Sequence, residues 1–198
     1  MYKMREDMIG NIQDRLNKII PRLTSDELLN NQGLGNEIGF YIFDYPPENE
    51  LEVRDYIEVI LKHIGKKKAG VRVKHINLFT LIIEYLTEAK FLDKAIAMQK
   101  EKGDPALAKA LKGPLDAKKI ARIFTARADS DNHDLILISG AGSAWPMLRS
   151  HNLLNNLHPL IEKTPVVLFF PGKYTGAGMK LFGLLEESNY YRAFQLVP

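Results

Sequence analysis

Two short runs in the last third of the chain constrain its fold more than any other feature. Leu135-Ile136-Leu137-Ile138 and Val166-Val167-Leu168-Phe169-Phe170 are apolar at every position. A strand buried on both faces reads this way, because neither of its alternating sides meets water. Each run ends in a turn-forming stretch, Ser139-Gly140-Ala141-Gly142-Ser143 after the first and Pro171-Gly172-Lys173 after the second. Helical sequence joins them, which predicts a βαβ unit. Open α/β sheets carry their working loops at the carboxyl ends of their strands. This chain places glycines, Trp145 and Arg149 there.

The rest of the chain extends the pattern. Met4, Met8, Ile12, Leu16, Ile19 and Ile20 recur at helical spacing, with Pro21 marking an end, and Ser25 is placed to cap a short helix. Ile38 to Tyr45 is rich in aromatic and β-branched residues and predicts a strand, stopped by Pro46-Pro47. A helix follows from about Glu48 to His63, with Leu51, Ile57, Val59, Ile60 and Leu61 as its apolar residues. Val71 to Ile76 alternates like a strand, and Asn77 can cap the next helix, striped by Leu78, Leu81, Ile82, Tyr85 and Leu86. Residues 90–131 predict a helical insertion broken at Gly103-Asp104-Pro105 and Gly113-Pro114. Tyr190 to Val197 reads as a fifth strand. Strand and helix alternate throughout, so the expected fold is α/β. It comprises one domain over residues 1–198, with a helical N-terminus over about 1–30 and a mostly parallel sheet of about five strands with helices on both faces. Periodicity leaves the strand order open.

Composition narrows the chemistry. No cysteine is present, which excludes disulfides, thiolate metal sites and a cysteine nucleophile, and fits a reducing cytoplasm. The opening MYKMREDMIGNIQDRL is charged and lacks the apolar stretch of a secretion signal. Net charge is +3 and the isoelectric point about 8.9. This mild basicity permits a nucleic-acid partner without arguing for one.

No loop carries a complete catalytic motif. The G-x-x-x-x-G-K-[ST] phosphate loop is absent. Gly140-Ala141-Gly142-Ser143 follows a strand, but a dinucleotide loop needs glycine at position 145, where Trp145 stands before Pro146. A tight structural turn leading to a helix from about Pro146 is the preferred reading. Pro171 to Gly178 is expected to turn into a helix over 179–185. Asp44 ends the first strand, as a turn residue or as a partner of Arg149 or Arg192. Glu48, Glu50 and Glu52 suit the negative first turn of a helix. The five histidines form no ligand motif, and Ser139 and Ser143 lack a nucleophile elbow. Lys66-Lys67-Lys68, Arg72, Lys74, Lys118, Lys119, Arg122 and Arg127 read as solvated faces, so nucleic-acid binding is expected to be weak and unselective. Aromatic and arginine residues on loops are typical interface material. The candidate partner-binding set is Trp145, Arg149, His151, Lys173, Tyr174, Tyr190, Tyr191 and Arg192, and no catalytic, cofactor or metal residues are assigned. Arg149 and Trp145, four residues apart, are expected to share a helix side, with Arg149 preferentially paired to Asp44.

FDYPPENELEVRDYI, HINLFTLIIEYL, GAGSAWPMLRSHNLLNNL, TPVVLFFPGKY and SNYYRAFQL together resemble the BrxB family of bacterial BREX phage-exclusion systems, from about Ile38 to Val197. The resemblance implies a cytoplasmic accessory protein with no catalytic residues to transfer. It implies a P-loop-like or Rossmann-like sandwich whose Walker A loop is missing. Its operon partners would include a PglZ phosphatase-like protein, a large BrxC-like ATPase and a DNA methyltransferase. A non-enzymatic adaptor is the leading expectation. The alternatives are a nucleotide- or nucleic-acid-processing enzyme using Asp44, Arg149 and the glycine-rich loops, or a DNA-binding subunit.

Overall fold

In the computed structural model, which describes residues 12–30, 39–187 and 193–198, every residue of β1 (Phe40–Tyr45) is buried. The helices α1 (Ile12–Leu23) and α2 (Asp26–Leu29) precede it. A 3-10 turn (Pro47–Asn49) and α3 (Glu50–Lys67) follow, then β2 (Val73–Asn77), α4 (Leu78–Glu88), α5 (Leu92–Leu111) and α6 (Ala117–Ala128). The chain continues through β3 (Leu135–Ser139), the four-residue α7 (Ala141–Ala144), α8 (Ser150–Leu157), β4 (Val166–Tyr174), β5 (Met179–Leu181), β6 (Leu185–Glu187) and β7 (Phe194–Gln195). Two caps form as their sequences predict. Ser25 Oγ accepts from the Leu28 amide at 3.3 Å, and Asn77 Oδ1 accepts from Phe79 and Thr80 at 3.0 and 3.1 Å. α5 is kinked at Gly103, where φ is 76°.

The strand order is β2-β3-β4-β1-β7, all parallel, with β5 and β6 added antiparallel beyond the end of β4. The connection from β1 to β2 crosses the sheet in one direction, and those from β2 to β3 and β3 to β4 return in the other. Right-handed crossovers then put α3 on one face and α4 to α8 on the opposite face. The two cores follow this division. Phe40, Ile42, Ile136, Ile138, Val166 and Leu168 pack with α4 to α8. Tyr41, Phe43, Leu135, Leu137, Val167 and Phe169 pack with α1, α2 and α3. Each fully buried Leu, Ile or Phe contributes about 1.5–3 kcal/mol.

Three local expectations are corrected. α1 runs two residues past Pro21, within its last turn. The buried stripe of α3 is Val53, Ile57, Ile60 and Ile64, while Leu51 and Val59 face solvent. The stretch expected as a helix over 179–185 instead forms β5 and a turn into β6, because β4 continues through Pro171 to Tyr174 and offers β5 an edge. Met4 and Met8 lie outside the described residues.

Asp44, near the end of β1, joins three other segments to that strand. Arg15 Nη2 on α1 donates to its Oδ1 at 2.9 Å, and Arg15 Nη1 to its carbonyl at 2.8 Å. The Tyr174 amide donates to Oδ2 at 2.9 Å, and Gln195 Nε2 to Oδ1 at 3.3 Å. Arg15 also reaches the Val197 carbonyl at 2.9 Å and lies 4.8 Å from the centre of the Phe43 ring. With side-chain exposures of 13% and 11%, the Arg15–Asp44 pair is largely removed from water. Asp44→Ala should strand a buried guanidinium and cost about 3 kcal/mol or more in urea unfolding. A loss below about 1 kcal/mol would show the pair to be solvent-screened.

Candidate functional site

Strands β4 and β1 are neighbours, yet the helices that follow β3 and β1 leave toward opposite faces. Such a switch point opens a crevice at the carboxyl ends, where α/β proteins bind ligands. Here the chain closes it. A phosphate loop works through consecutive backbone amides, but Pro46-Pro47 supply none after β1. Tyr45 instead donates its hydroxyl to Glu50 Oε2 at 2.6 Å. Burial, reinforced by that carboxylate, pushes the Tyr45 phenol well above its ordinary range. Arg54 Nε donates to Glu50 at 2.8 Å, and its Nη2 lies 3.5 Å from Ser143 Oγ, spanning from α3 to the loop after β3.

The glycine loop after β3 is filled in a different way. Gly140 takes φ +75°, and a Cβ there would lie 2.5 Å from Asn77 Oδ1. A Cβ on Gly142 would lie 2.9 Å from Phe182 and 3.1 Å from Pro171. These glycines serve close packing, and the chain's own β4–β5 hairpin occupies the space a phosphate would need. Among the described residues, no three His, Cys, Asp or Glu side chains gather in a metal-binding arrangement.

The rim of this edge is exposed and apolar. Leu51 after β1, Phe79 after β2, Trp145 after β3 and Leu184 in the β5–β6 turn are all exposed; Leu51 is 72%, Trp145 37% and Leu184 83% accessible. One large apolar side chain thus follows each of β1, β2 and β3, and a fourth stands on the hairpin added beyond β4.

The family comparisons agree with the resemblance read from the motifs. The model for BREX protein BrxB matches residues 74–196. A BREX protein BrxB of Bacillus cereus is 39% identical over 190 residues, covering 94% of this chain and 97% of the relative. One from Escherichia coli is 37% identical over 187 residues, covering 94% and 92%. The chain belongs to the BrxB family. No solved structure matches it.

In this BrxB-family chain the predicted site residues separate. Trp145 and Lys173 are exposed, and His151 is half-buried on α8. Arg149 is exposed and caps α8, which starts at Ser150 rather than near Pro146, so it shares no helix with Trp145. Its expected pairing with Asp44 is corrected: Arg15 takes that place. Tyr174 is turned inward, its hydroxyl donating to the Ala193 carbonyl, so it is a core residue and not a contact surface. Tyr190, Tyr191 and Arg192 lie outside the described residues. Sequence reasoning missed Leu51, Phe79, Arg54 and Leu184. Leu51 was detectable, because it falls off the 53-57-60-64 spacing of the buried face. Leu184 was masked by the expected helix.

A polar cluster joins β2 to β3 at the same edge. His75 Nε2 lies 2.8 Å from Ser139 Oγ, to which Asn77 Nδ2 also donates at 3.3 Å. Burial lowers the His75 pKa, partly opposed by the negative charge of Glu58. Ser139 is buried and Asn77 is committed to capping α4, so the cluster ties the strand ends together.

Two measurements follow. Calorimetry with Mg-ATP should detect no binding tighter than about 10 μM, roughly 7 kcal/mol; saturable binding at that level would overturn the closed-crevice reading. The depressed His75 pKa means the folded state holds this ring neutral. Its stabilising contribution is therefore complete above about pH 6.5 and is lost as pH falls through the folded pKa. His75→Gln should flatten the decline in urea midpoint between about pH 6.5 and 5, and an unchanged profile would contradict this.

Proposed function

We propose that this protein is a non-enzymatic adaptor in a BREX phage-defence complex, and that the carboxyl edge of its sheet docks another component of that system. The PglZ phosphatase-like protein and the large ATPase are the preferred partners. The carrying observation is the contrast at that edge. The positions where α/β proteins hold phosphates are closed by Pro46-Pro47 and by Phe182 against Gly142, whereas Leu51, Phe79, Trp145 and Leu184 face solvent around them. A large apolar side chain exposed singly is ordinary. Four at one edge, two in first helical turns, one in a loop and one in a hairpin turn, form an interface pattern, in which aromatic anchors dominate and arginines supply directional contacts. Arg149 and Lys173 add positive charge to the same set of loops and suit a partner with acidic side chains. The fold thus serves as a rigid frame that presents loops.

The test is co-purification of the tagged chain with the other products of its operon. The wild type should yield a stable stoichiometric complex. Trp145→Ala and Leu184→Ser should each weaken it by about 2 kcal/mol, roughly thirtyfold; Leu184→Ser should do so without lowering the melting temperature, since that side chain is 83% accessible. A complex that survives both changes would place the docking surface elsewhere. A monomer that never co-purifies but turns over a nucleotide with a metal would reject the adaptor.

A further inference from the structure

The positive charge of this protein is not spread evenly. Between Lys109 and Arg122 stand five basic residues and one acid, Asp116, a local net of +4 against +3 for the whole chain. The stretch is the elbow between α5 and α6. Leu111, Leu115, Ile120, Ala121 and Phe124 anchor it in the core. Lys109, Lys112, Lys118, Lys119 and Arg122 are left exposed. Asp116 offsets one of them; its carboxylate caps α6 through the Lys118 and Lys119 amides at 3.1 and 3.2 Å, and the local net stays at +4. Five arginines elsewhere behave differently: Arg15, Arg22, Arg54, Arg72 and Arg127 each pair with a carboxylate. Arg122 has no ion pair among the described residues. Lys119 is held 5.2 Å from the centre of the Tyr85 ring, which orders its side chain on the surface.

We infer that this elbow docks the phosphate backbone of duplex nucleic acid, without reading its sequence. Five cations against a single carboxylate on one corner complement closely spaced phosphates. Lys118 and Arg122, at i and i+4, lie side by side on one helix face. The surroundings exclude two other polyanions. A membrane surface needs large apolar side chains beside the cations, and none of the exposed large hydrophobic residues falls between Lys109 and Arg122. Single strands need exposed aromatic rings for stacking; here Phe124 is buried, and the half-buried Tyr85 ring is already covered by Lys119. With no base-reading element presented, binding rests on charge alone.

Fluorescence anisotropy of a short random-sequence duplex with the full chain tests this. Binding should be measurable at roughly 50 mM salt and fall by about two decades by 200 mM, as four or five phosphate contacts require. Replacing Lys118, Lys119 and Arg122 with Gln should weaken it at least tenfold and reduce the salt slope by about 2 to 3. Replacing Lys62, Lys66 and Lys67 on α3 with Gln makes the same charge change on the other face of the sheet and should leave the slope as it is. Lys109→Gln with Lys112→Gln provides a second elbow variant should the first fail to fold. No binding by the wild type at low salt, equal loss in the elbow and α3 variants, tighter binding of single strands, or preference for an acidic polypeptide over the duplex would each overturn the inference.

Discussion

The buried pairing of Arg15 with Asp44 is the interaction on which most of the architecture converges. Asp44 is a carboxylate near the carboxyl end of a strand buried along its whole length, a position that would be costly to leave uncompensated. Its oxygens are satisfied by a guanidinium from α1, the amide of Tyr174 and the side chain of Gln195. Those contacts close the N-terminal helix, the β4 extension and the C-terminal strand around β1. A buried ion pair adds little net stability over an apolar substitute. Its effect here is arrangement: the contacts at Asp44 bring α1, β4 and β7 to β1, while Arg15 Nε stays buried without a hydrogen-bond partner. Asp44 Oδ1 accepts two hydrogen bonds and Oδ2 one, so the carboxylate serves to join these segments.

That closure explains why the switch-point crevice of an α/β sheet is full. β4 does not stop at Phe170. Its continuation through Tyr174 is held by Asp44, and this sets the β4–β5 hairpin over the loop after β3. Phe182 and Pro171 then fill the space beside Gly142. A phosphate-binding edge requires the opposite features, free amides and room for an anion. The loops have become a packed platform, with their remaining apolar side chains directed outward.

Much of the fold was legible because it depends on local rules. The all-apolar runs marked β3 and β4, and Ser25, Asn77 and Asp116 cap the helices they precede. Gly103 and Gly113-Pro114 marked the breaks around α5. The failures share one cause: each depends on a distant partner. Met179 to Leu185 has helical spacing, but β4 supplies a ladder and wins. Asp44 finds its guanidinium 29 residues upstream, a distance no periodicity reveals. Arg149 and Trp145 matched a helical spacing of four, yet α8 starts only at Ser150. At the candidate site, residue type and loop position were enough to expect Trp145 and Lys173 at the surface, where both are exposed. Leu184 was hidden by the wrong element, and Tyr174 was misread because burial cannot be inferred from an aromatic at a strand end.

The topology also relates the two surfaces. A helix that returns to feed the next parallel strand runs against the strand direction, so its first turn lies toward the carboxyl edge of the sheet. α6 feeds β3 in this way, which sets Lys118 and Arg122 at the end of the molecule where the apolar rim stands. The opposite edge, where the strands begin, carries exposed basic side chains of its own, Lys62, Lys66 and Lys67 at the end of α3, but no comparable set of exposed apolar side chains among the described residues. Rim and elbow differ in physics. Apolar anchors lose little with salt, whereas phosphate contacts weaken steeply. A protein built this way would keep its protein partner over a range of ionic conditions while exchanging nucleic acid freely, and the weak, reversible contact would be delivered beside whatever enzyme the rim holds.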